Sequence, residues 1–348
     1  MADFAPGLVG AKASNLAKIA SALPSWLSVP DSVALPFGTM EHALANSCNR
    51  GVLDFLHSRL AQVESARVAR TAAAVSSTLA EIRQLIVSEL HIDGELELAL
   101  QKVLRLLARP DDDLTLLWNA VKRVWASKWT SRAFVSRART GLSDAELSMG
   151  VLVQRMIPAD YAFVLHTTNP LALDASSLLG EVVVGLGEML AGSAPGRPFC
   201  FALPKTGHPS AAILSYPSKR TGLFADRASP GLIVRSDSSG EDLDDFAGAG
   251  LYDSVAFGPI REEHVDYSTC SLLVDADFRE WLLASLRQVA TDVEAALGGA
   301  PQDIEGVVSD RQITLVQARP QVGVLVRPAP KHLSHDDDSS RPQQQPGS

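Results

Sequence analysis

The hydrophobic period of this sequence changes near residue 145, and that change constrains the fold more than any other feature. From Thr39 to about Arg139, apolar residues recur at spacings of three and four, the period of helices with one buried side. The later part holds short apolar or alternating runs bounded by Gly, Pro, Asn or Asp, as strands do. Helices followed by strands with few helices between them predict an α+β fold rather than a doubly wound parallel sheet.

Individual elements can be placed from the same patterns. Four strand-like runs are expected to form one sheet: VLVQRMI, YAFVLHTT, LLGEVVV and GLIVRS. A helix is predicted over Phe278 to Leu297, followed by a hairpin in which DIEGVV pairs with ITLVQARP around a turn near Asp310. Near the N-terminus, Ser14 is expected to cap a short helix that carries Leu16 and Ile19.

The chain is expected to divide into three parts. Residues 1–145 form an N-terminal helical region with a lysine motif, and residues 146–325 form the sheet subdomains with the polar candidates described below. Residues 326–348 contain almost no apolar side chain, so we expect a disordered tail.

Charge and apolar runs argue against two classes of partner. The formal net charge of −9 argues against a general nucleic-acid binder, because binding a phosphate backbone requires a basic surface. No apolar run approaches the ~20 residues that span a membrane, so no membrane partner is expected.

The three cysteines lie far apart without metal-ligand spacing, and we expect reduced thiols. MADFAPGLVG has no signal or transit pattern, so the protein is expected to be cytosolic unless a targeting region is missing.

The C-terminal hairpin carries the most informative polar residues. Residues two apart in a strand point to one face, so Asp303 and Glu305 share a face of the first strand. Gln317 and Arg319 share a face of the second strand in the same way. If the strands pair, two carboxylates, an amide and a guanidinium converge, which suits Mg²⁺ and phosphate oxygens.

A solvated strand face with an incidental ion pair is the alternative interpretation of this hairpin. We expect apolar Ile313 and Leu315 to lie on the face of Gln317, which argues against full solvation.

A second candidate is the stretch VRSDSSGEDLDDFAGAG, residues 234–250. An apolar strand delivers Arg235 into a Ser/Gly/Asp-rich loop, where backbone N–H groups can approach phosphate oxygens. Its acidic residues would repel a phosphate unless a cation intervenes; they are Glu241, Asp242, Asp244 and Asp245. An ordinary acidic surface loop is the alternative.

Three single residues are weaker candidates. Glu188 follows a strand and a Gly-x-Gly that matches no dinucleotide or P-loop fingerprint, so a plain strand-to-helix turn is the alternative. Lys12 lies among small residues before a helix and can reach a phosphate, although a solvated lysine is the commoner outcome. His166 lies in an alternating strand, where an ordinary hydrogen-bonded histidine is expected rather than a phosphorylated or metal-bound one.

Together these motifs resemble a known family. GAKASNL, QRMI, GLGE, RSDSSGED and DIE…VQARP resemble the ATP-binding domain of the pyruvate phosphate dikinase and phosphoenolpyruvate synthase family. LPSWLSVPDSVALPFG, LLWNAVKRVWASKWTSRA, ADYAFVLHTTNP, YPSKRTGLF and FAGAGLYDSV resemble the C-terminal domain of its α-glucan water dikinase branch. The resemblance covers about residues 7–322 and implies an ATP-grasp nucleotide-binding domain, with ATP and Mg²⁺ as cofactors.

The resemblance also implies roles for individual residues. It assigns contacts with the ATP phosphates to Lys12, Arg235, Gln317 and Arg319. It assigns the acidic pair to Asp303 and Glu305, of which Glu305 is the better metal ligand. The hinge that receives adenine would be formed by Gln154, Arg155, Met156 and Ile157, while Glu188 belongs to the GLGE motif.

Two departures from the family pattern refine this expectation. The RSD motif follows GLGE here, an order that the α-glucan water dikinases share. No histidine lies in the phosphate-carrying segment of the family, and starch-binding modules are missing, so the chain resembles a fragment, a truncated product or a one-domain relative.

The reaction that the resemblance implies passes the β-phosphate of ATP to a histidine on a separate domain, in cis or in trans, and then to α-glucan (starch). The γ-phosphate goes to water. A plastid location follows by resemblance. The alternatives are an ATP-binding module without transfer activity, and a phosphoglucan water dikinase or phosphoenolpyruvate synthase relative.

Overall fold

The computed structural model describes residues 7–69, 71–109, 111–141, 143–191, 195–207, 210–240 and 250–321. The helices are α1 (Ala11–Ala22), α2 (Thr39–Ala45), α3 (Arg50–Val68), α4 (Ala72–Glu89), α5 (Gly94–Leu106), α6 (Leu114–Ala126), α7 (Ser131–Thr140), α8 (Glu188–Ala191), α9 (Ser271–Val274) and α10 (Ala276–Ala296). The strands are β1 (Leu27–Ser28), β2 (Ser32–Leu35), β3 (Met149–Arg155), β4 (Tyr161–His166), β5 (Ser177–Val184), β6 (Phe199–Pro204), β7 (Ala212–Ser215), β8 (Thr221–Ala225), β9 (Leu232–Ser238), β10 (Ser254–Phe257), β11 (Ile260–His264), β12 (Gln302–Ser309) and β13 (Gln312–Pro320).

The α+β prediction is confirmed by this order of elements. Six helices, α2 to α7, lie between β2 and β3, and most strands follow them. The expected tail over residues 326–348 lies outside the described residues. Within the described part of the chain, no helix combines the length and hydrophobicity that crossing a membrane requires.

The strands form more than the single sheet that we expected. A seven-stranded sheet has the order β1-β13-β12-β4-β5-β6-β7, a four-stranded sheet has the order β10-β9-β3-β2, and β11 pairs with β8. The runs YAFVLHTT and LLGEVVV therefore lie in the large sheet, whereas VLVQRMI and GLIVRS lie in the four-stranded one. The expectation was wrong because alternation along a strand indicates which face is buried but not which strand is its neighbour.

Three apolar clusters hold the elements together. In the first, helices α2 to α7 pack on the four-stranded sheet around the fully buried Trp125 and Trp129. In the second, α1 and α10 cover one face of the seven-stranded sheet, with Ile304 and Leu286 in its interior. The third lies on the opposite face of that sheet and consists of Met156, Ala159, Ala162, Val183, Leu186, Met189, Ala225 and Val307.

Helix α1 begins earlier than predicted, and its cap comes from a distant strand. Its N-cap residue is Gly10, so Ser14 lies inside the first turns and does not cap the helix. The buried carboxylate of Asp237 on β9 accepts hydrogen bonds from the N–H groups of Gly10, Lys12 and Ala13, at 2.8, 3.0 and 3.3 Å. A carboxylate at a helix N-terminus satisfies N–H groups that lack partners within the helix. The capping residue was missed because it lies more than 220 positions away in sequence.

The C-terminal elements match their predictions. Helix α10 covers the expected span, and its N-cap Asp275 accepts a hydrogen bond from the N–H of Phe278 at 2.9 Å. Strands β12 and β13 form the predicted antiparallel hairpin, which turns at Asp310 and Arg311 with φ values of 50° and 59°.

Candidate functional site

The hairpin aligns the four predicted polar residues in two adjacent cross-strand pairs. Asp303 of β12 is opposite Arg319 of β13, and Glu305 is opposite Gln317. The guanidinium Nη2 of Arg319 lies 3.3 Å from Asp303 Oδ2. The structure therefore brings the two carboxylates, the amide and the guanidinium together on one face, as the spacing predicted.

A β-bulge sets which face of β13 carries these residues. The register moves from Glu305 opposite Gln317 to Gly306 opposite Leu315, which leaves Val316 without a partner. The expectation that Ile313 and Leu315 share the face of Gln317 was therefore wrong: both lie in the core under α1 and α10. One extra residue reverses the alternation of a strand, and such bulges commonly redirect side chains beside functional sites.

Arg235 connects this hairpin to the four-stranded sheet. Its Nη2 donates to Glu305 Oε2 at 2.9 Å and to Gln317 Oε1 at 2.8 Å, while its Nη1 lies 3.4 Å from Gln154 Oε1. The Nε of Arg235 is buried without an acceptor among the described residues. We call Arg235, Gln154, Glu305 and Gln317 the hairpin cluster.

The hairpin cluster is open to solvent on one side. The side chain of Arg235 is 13% exposed and that of Glu305 is 38% exposed, whereas Gln154 is fully buried. The amide of Gln154 also donates from Nε2 to the carbonyl of Val316 at 3.3 Å. A buried amide thus holds the bulge, while the charged ends of the cluster remain accessible.

Lys12 lies beside this cluster because helix α1 starts against β9. Its ammonium Nζ is 3.5 Å from the hydroxyl of Ser236, the residue that follows Arg235. The close approach requires glycine at position 10, since a Cβ there would lie 2.4 Å from Asp237 Oδ1. The N-terminus of α1 and the lysine are therefore positioned together by one carboxylate.

His166 joins the other row of the hairpin. It is opposite Asp303 in the β4–β12 register, and its Nδ1 lies 2.5 Å from Asp303 Oδ1. Asp303 thus lies between His166 on one oxygen and Arg319 on the other. We had interpreted His166 as an ordinary hydrogen-bonded strand histidine. Its place next to the acidic pair was not visible in the sequence, because its partner is 137 positions away.

The predicted hinge lies at the end of β3, and its backbone donors are already used. The N–H of Arg155 donates to the carbonyl of Asp31 at 2.9 Å, and the N–H of Met156 donates to the carbonyl of Gly231 at 3.0 Å. The side chains of Met156 and Ile157 pack in the third apolar cluster. The hinge therefore offers an apolar wall next to the hairpin cluster rather than free N–H groups at these two positions.

Glu188 is not brought into the hairpin cluster. It is exposed at the first position of the four-residue α8, between two residues of the third apolar cluster, Leu186 and Met189. Among the described residues its carboxylate has no hydrogen bond or ion pair. The acidic residues Glu241, Asp242, Asp244 and Asp245 lie outside the described residues.

The carboxylates differ in their capacity to hold a metal ion. Both oxygens of Asp303 already have partners, His166 and Arg319. Glu305 is more exposed and has one contact, through Oε2 to Arg235. The described residues contain no group of three or more His, Cys, Asp or Glu arranged to hold a metal. Glu305 fits Mg²⁺, which typically takes one or two carboxylates together with substrate phosphates, and Asp303 fits it less well.

Comparison with known proteins identifies a matching family model and similar proteins. A family model described as the pyruvate phosphate dikinase AMP/ATP-binding domain matches residues 111–196. A chloroplastic α-glucan water dikinase of Citrus reticulata is 41% identical over 329 residues, which are 92% of this chain and 21% of that protein. The predicted resemblance to the α-glucan water dikinases is confirmed.

Other relatives place this likeness in context. The α-glucan water dikinase 1 of Arabidopsis thaliana is 40% identical over 326 residues, 92% of this chain and 22% of its own length. The phosphoenolpyruvate synthase of Pyrococcus furiosus is 34% identical over 74 residues, 21% of this chain and 9% of that protein. The chain thus spans about a fifth of the length of these α-glucan water dikinases.

Proposed function

We propose that the chain is the ATP-binding and first phosphotransfer part of an α-glucan water dikinase, with an ATP-grasp fold. The observation that carries this proposal is the position of Arg235. Its guanidinium extends from the four-stranded sheet to Glu305 and Gln317 of the hairpin, and Lys12 contacts Ser236, the next residue of the same strand. We also propose that the chain divides into a helical region, residues 1–145, and sheet subdomains, residues 146–325.

Positive charge at the hairpin supports binding of the ATP phosphates. Lys12, Arg235 and Arg319 lie on α1, β9 and β13, and α1 packs against both of these strands. Phosphoryl transfer depends mainly on positioning and on neutralising the charge of the phosphate oxygens, and cations fixed in advance do both. Gln317 adds an amide to the same surface.

The acidic pair and a metal ion complete the proposed phosphate site. We assign Glu305 as the carboxylate ligand of Mg²⁺ and leave Asp303 out of the metal site, because its two oxygens contact His166 and Arg319. When bound, Mg²⁺ neutralises charge on the phosphate oxygens. Glu305 also accepts a hydrogen bond from Arg235 at 2.9 Å, so it orients that guanidinium whether or not the metal is bound.

The third apolar cluster supplies a surface for the adenine ring. Val307 lies two residues after Glu305 on the same face of β12, so apolar and polar surfaces are contiguous. Met156 and Ile157 line this surface from the hinge. Since the N–H groups of Arg155 and Met156 are used within the protein, base recognition relies on the remaining polar atoms of Gln154–Ile157.

The proposed reaction requires partners beyond this chain. The β-phosphate of ATP would pass to a histidine on a separate domain, in cis or in trans, and then to α-glucan, while the γ-phosphate goes to water. We propose a plastid location, because relatives that match 92% of the chain are named chloroplastic.

A stand-alone ATP-binding module without transfer activity is the second candidate. It is favoured by the matching family model over residues 111–196, whose description names AMP/ATP binding and no transfer step. A phosphoenolpyruvate synthase function is supported less well, since that likeness extends over only 74 residues.

Transfer assays separate these candidates. The isolated chain, incubated with soluble starch and ATP labelled at the β-phosphate, is expected to leave the starch unlabelled. Adding the histidine domain of the Arabidopsis thaliana relative as a separate protein should give acid-labile phosphohistidine on that domain. ATP binding without any phosphohistidine would favour the module, and starch labelling by the chain alone would contradict the need for a separate domain.

A further inference from the structure

One imidazole lies beside the proposed phosphate site without a role in it. His166 belongs to the row of Asp303 and Arg319, next to the row that contains Glu305 and Gln317. Neighbouring rows on the same face are about 7 Å apart along the strands, because each residue advances about 3.3 Å. A phosphate chain that Arg235 holds in one row would reach His166 by extending over one such spacing.

The contacts of His166 are those of an oriented base. Asp303 Oδ1 lies 2.5 Å from Nδ1, which places the proton of a neutral ring on Nδ1 and leaves the lone pair on Nε2. Among the described residues Nε2 has no hydrogen-bond partner. The side chain is 28% exposed, so water reaches it. Asp303 is itself held on its other oxygen by Arg319, at 3.3 Å.

We propose that His166, oriented by Asp303, is the general base that activates the water molecule receiving the terminal phosphate of ATP. This inference rests on the proposed function, in which water is one of two phosphate acceptors. It adds a catalytic residue that the motif residues Lys12, Arg235 and Arg319 do not provide, since none of these cations accepts a proton from water at neutral pH.

Hydrolysis at the γ-phosphorus begins with proton transfer to the imidazole. Nε2 of His166 takes one proton from water as the water oxygen forms a bond to the γ-phosphorus. The bond between the γ-phosphorus and the bridging oxygen breaks, and that oxygen keeps the electron pair on the departing phosphate chain. The imidazolium, stabilised by the carboxylate of Asp303, then returns its proton to solvent. In the isolated chain the products from ATP are ADP and inorganic phosphate.

Release of labelled inorganic phosphate from ATP carrying the label at the γ-position tests the assignment. The wild-type chain is compared with His166→Asn and His166→Gln, alone and with the separate histidine domain. Asparagine retains a donor toward Asp303 but has no base at the position of Nε2, and glutamine places a non-basic amide near that position. His57→Asn is the control, because His57 is exposed on α3.

The expected result is a slow release of phosphate by the wild type that falls about 100-fold or more in both variants, since a general base contributes roughly 10²–10⁴-fold. ATP affinity, measured separately by calorimetry, should stay within about threefold of wild type, because His166 contacts water rather than the nucleotide. His57→Asn should release phosphate at the wild-type rate.

Three outcomes would overturn the assignment while leaving ATP binding intact. Wild-type phosphate release by His166→Asn would reduce His166 to a group that orients Asp303. Acid-labile label on His166 would make it a nucleophile instead of a base. Absence of phosphate release from the wild type, with and without the histidine domain, would remove the hydrolytic step. Failure of the wild type to bind ATP would instead contradict the proposed function itself.

Discussion

Two clusters of charged residues in this molecule differ in how fully their charges are buried and paired. In the helical region, Asp144 is surrounded by Lys128, Arg137 and Trp129, which we call the helical cluster. Its oxygens lie 3.4 Å from Lys128 Nζ, 3.1 Å from Arg137 Nη2 and 3.0 Å from Trp129 Nε1. The two cationic side chains are only 4% and 5% exposed.

The hairpin cluster combines the same kinds of groups but is not closed. Glu305 is 38% exposed, and a second guanidinium–carboxylate pair, Arg319 with Asp303, lies in the next row of the hairpin. In the helical cluster, burial lowers the pKa of Lys128, and Asp144 opposes that shift by raising it. In the helical cluster the charges are thus paired with one another and enclosed, whereas the hairpin cluster keeps one of its charged groups, Glu305, open to solvent.

Enclosure therefore distinguishes a charge cluster that stabilises the fold from one that can bind a ligand. Removing a group from the helical cluster should reduce stability and leave ligand binding unchanged. Removing a group from the hairpin cluster should weaken ligand binding. Substitutions in the two clusters test this distinction.

The largest effect is expected for Asp144→Ala. The substitution leaves Lys128 and Arg137 buried without their carboxylate, and an uncompensated buried charge costs about 3–5 kcal/mol. Denaturant unfolding of the variant and wild type gives the difference. A loss below about 1 kcal/mol would mean that the helical cluster is no more than a surface ion pair.

A smaller loss of stability is expected for Gly10→Ala, a substitution that should affect both folding and ATP binding. The new Cβ would lie 2.4 Å from Asp237 Oδ1 and 2.6 Å from its backbone carbonyl oxygen, so α1 must shift at a cost of roughly 1–3 kcal/mol. ATP affinity should fall as well, because Lys12 moves with the helix.

Gly51→Ala is the matched control for that substitution. A Cβ at position 51 in α3 meets nothing within 4 Å, so the variant should be as stable as wild type or slightly more stable. Equal effects of the two glycine substitutions on ATP binding would contradict the role given to the N-terminus of α1.

How far the sequence predicted these clusters depends on the range of the contacts involved. The hairpin was predictable, since its alternation and turn are local and Asp303, Glu305, Gln317 and Arg319 follow from a period of two. The bulge at Val316 was not, because an extra residue is defined only against the partner strand.

Local sequence patterns could not predict contacts between distant segments. Asp237 caps α1 from 227 positions after Gly10, and His166 reaches Asp303 across 137 positions. The assignment of the four strand-like runs to one sheet was wrong for the same reason. The resemblance to the family motifs assigned Lys12 and Arg235 to the same phosphate site as the hairpin residues. The hydrophobic period and the residue spacing did not predict this.

A third prediction concerns Arg319→Lys in the hairpin. Lysine keeps the charge but lacks the planar fork that binds phosphate through two N–H groups, so ATP affinity or transfer to an added histidine domain should fall at least tenfold. Thermal unfolding should change little, because the charge and most of the stem remain. Unchanged binding and transfer would make the pair with Asp303 a structural one.

Calorimetric titration of two matched arginine variants tests whether the hairpin cluster binds Mg·ATP. Wild type should bind Mg·ATP in preference to Mg·GTP. Arg235→Lys should bind ATP at least tenfold more weakly, since lysine lacks the planar fork that holds a phosphate through two N–H groups. It should also lower the unfolding temperature, because the bonds to Glu305 and Gln317 need the guanidinium. Arg137→Lys in the helical cluster should lose stability and bind ATP like the wild type. Wild-type ATP affinity in Arg235→Lys, or no ATP binding by the unmodified chain, would contradict the account.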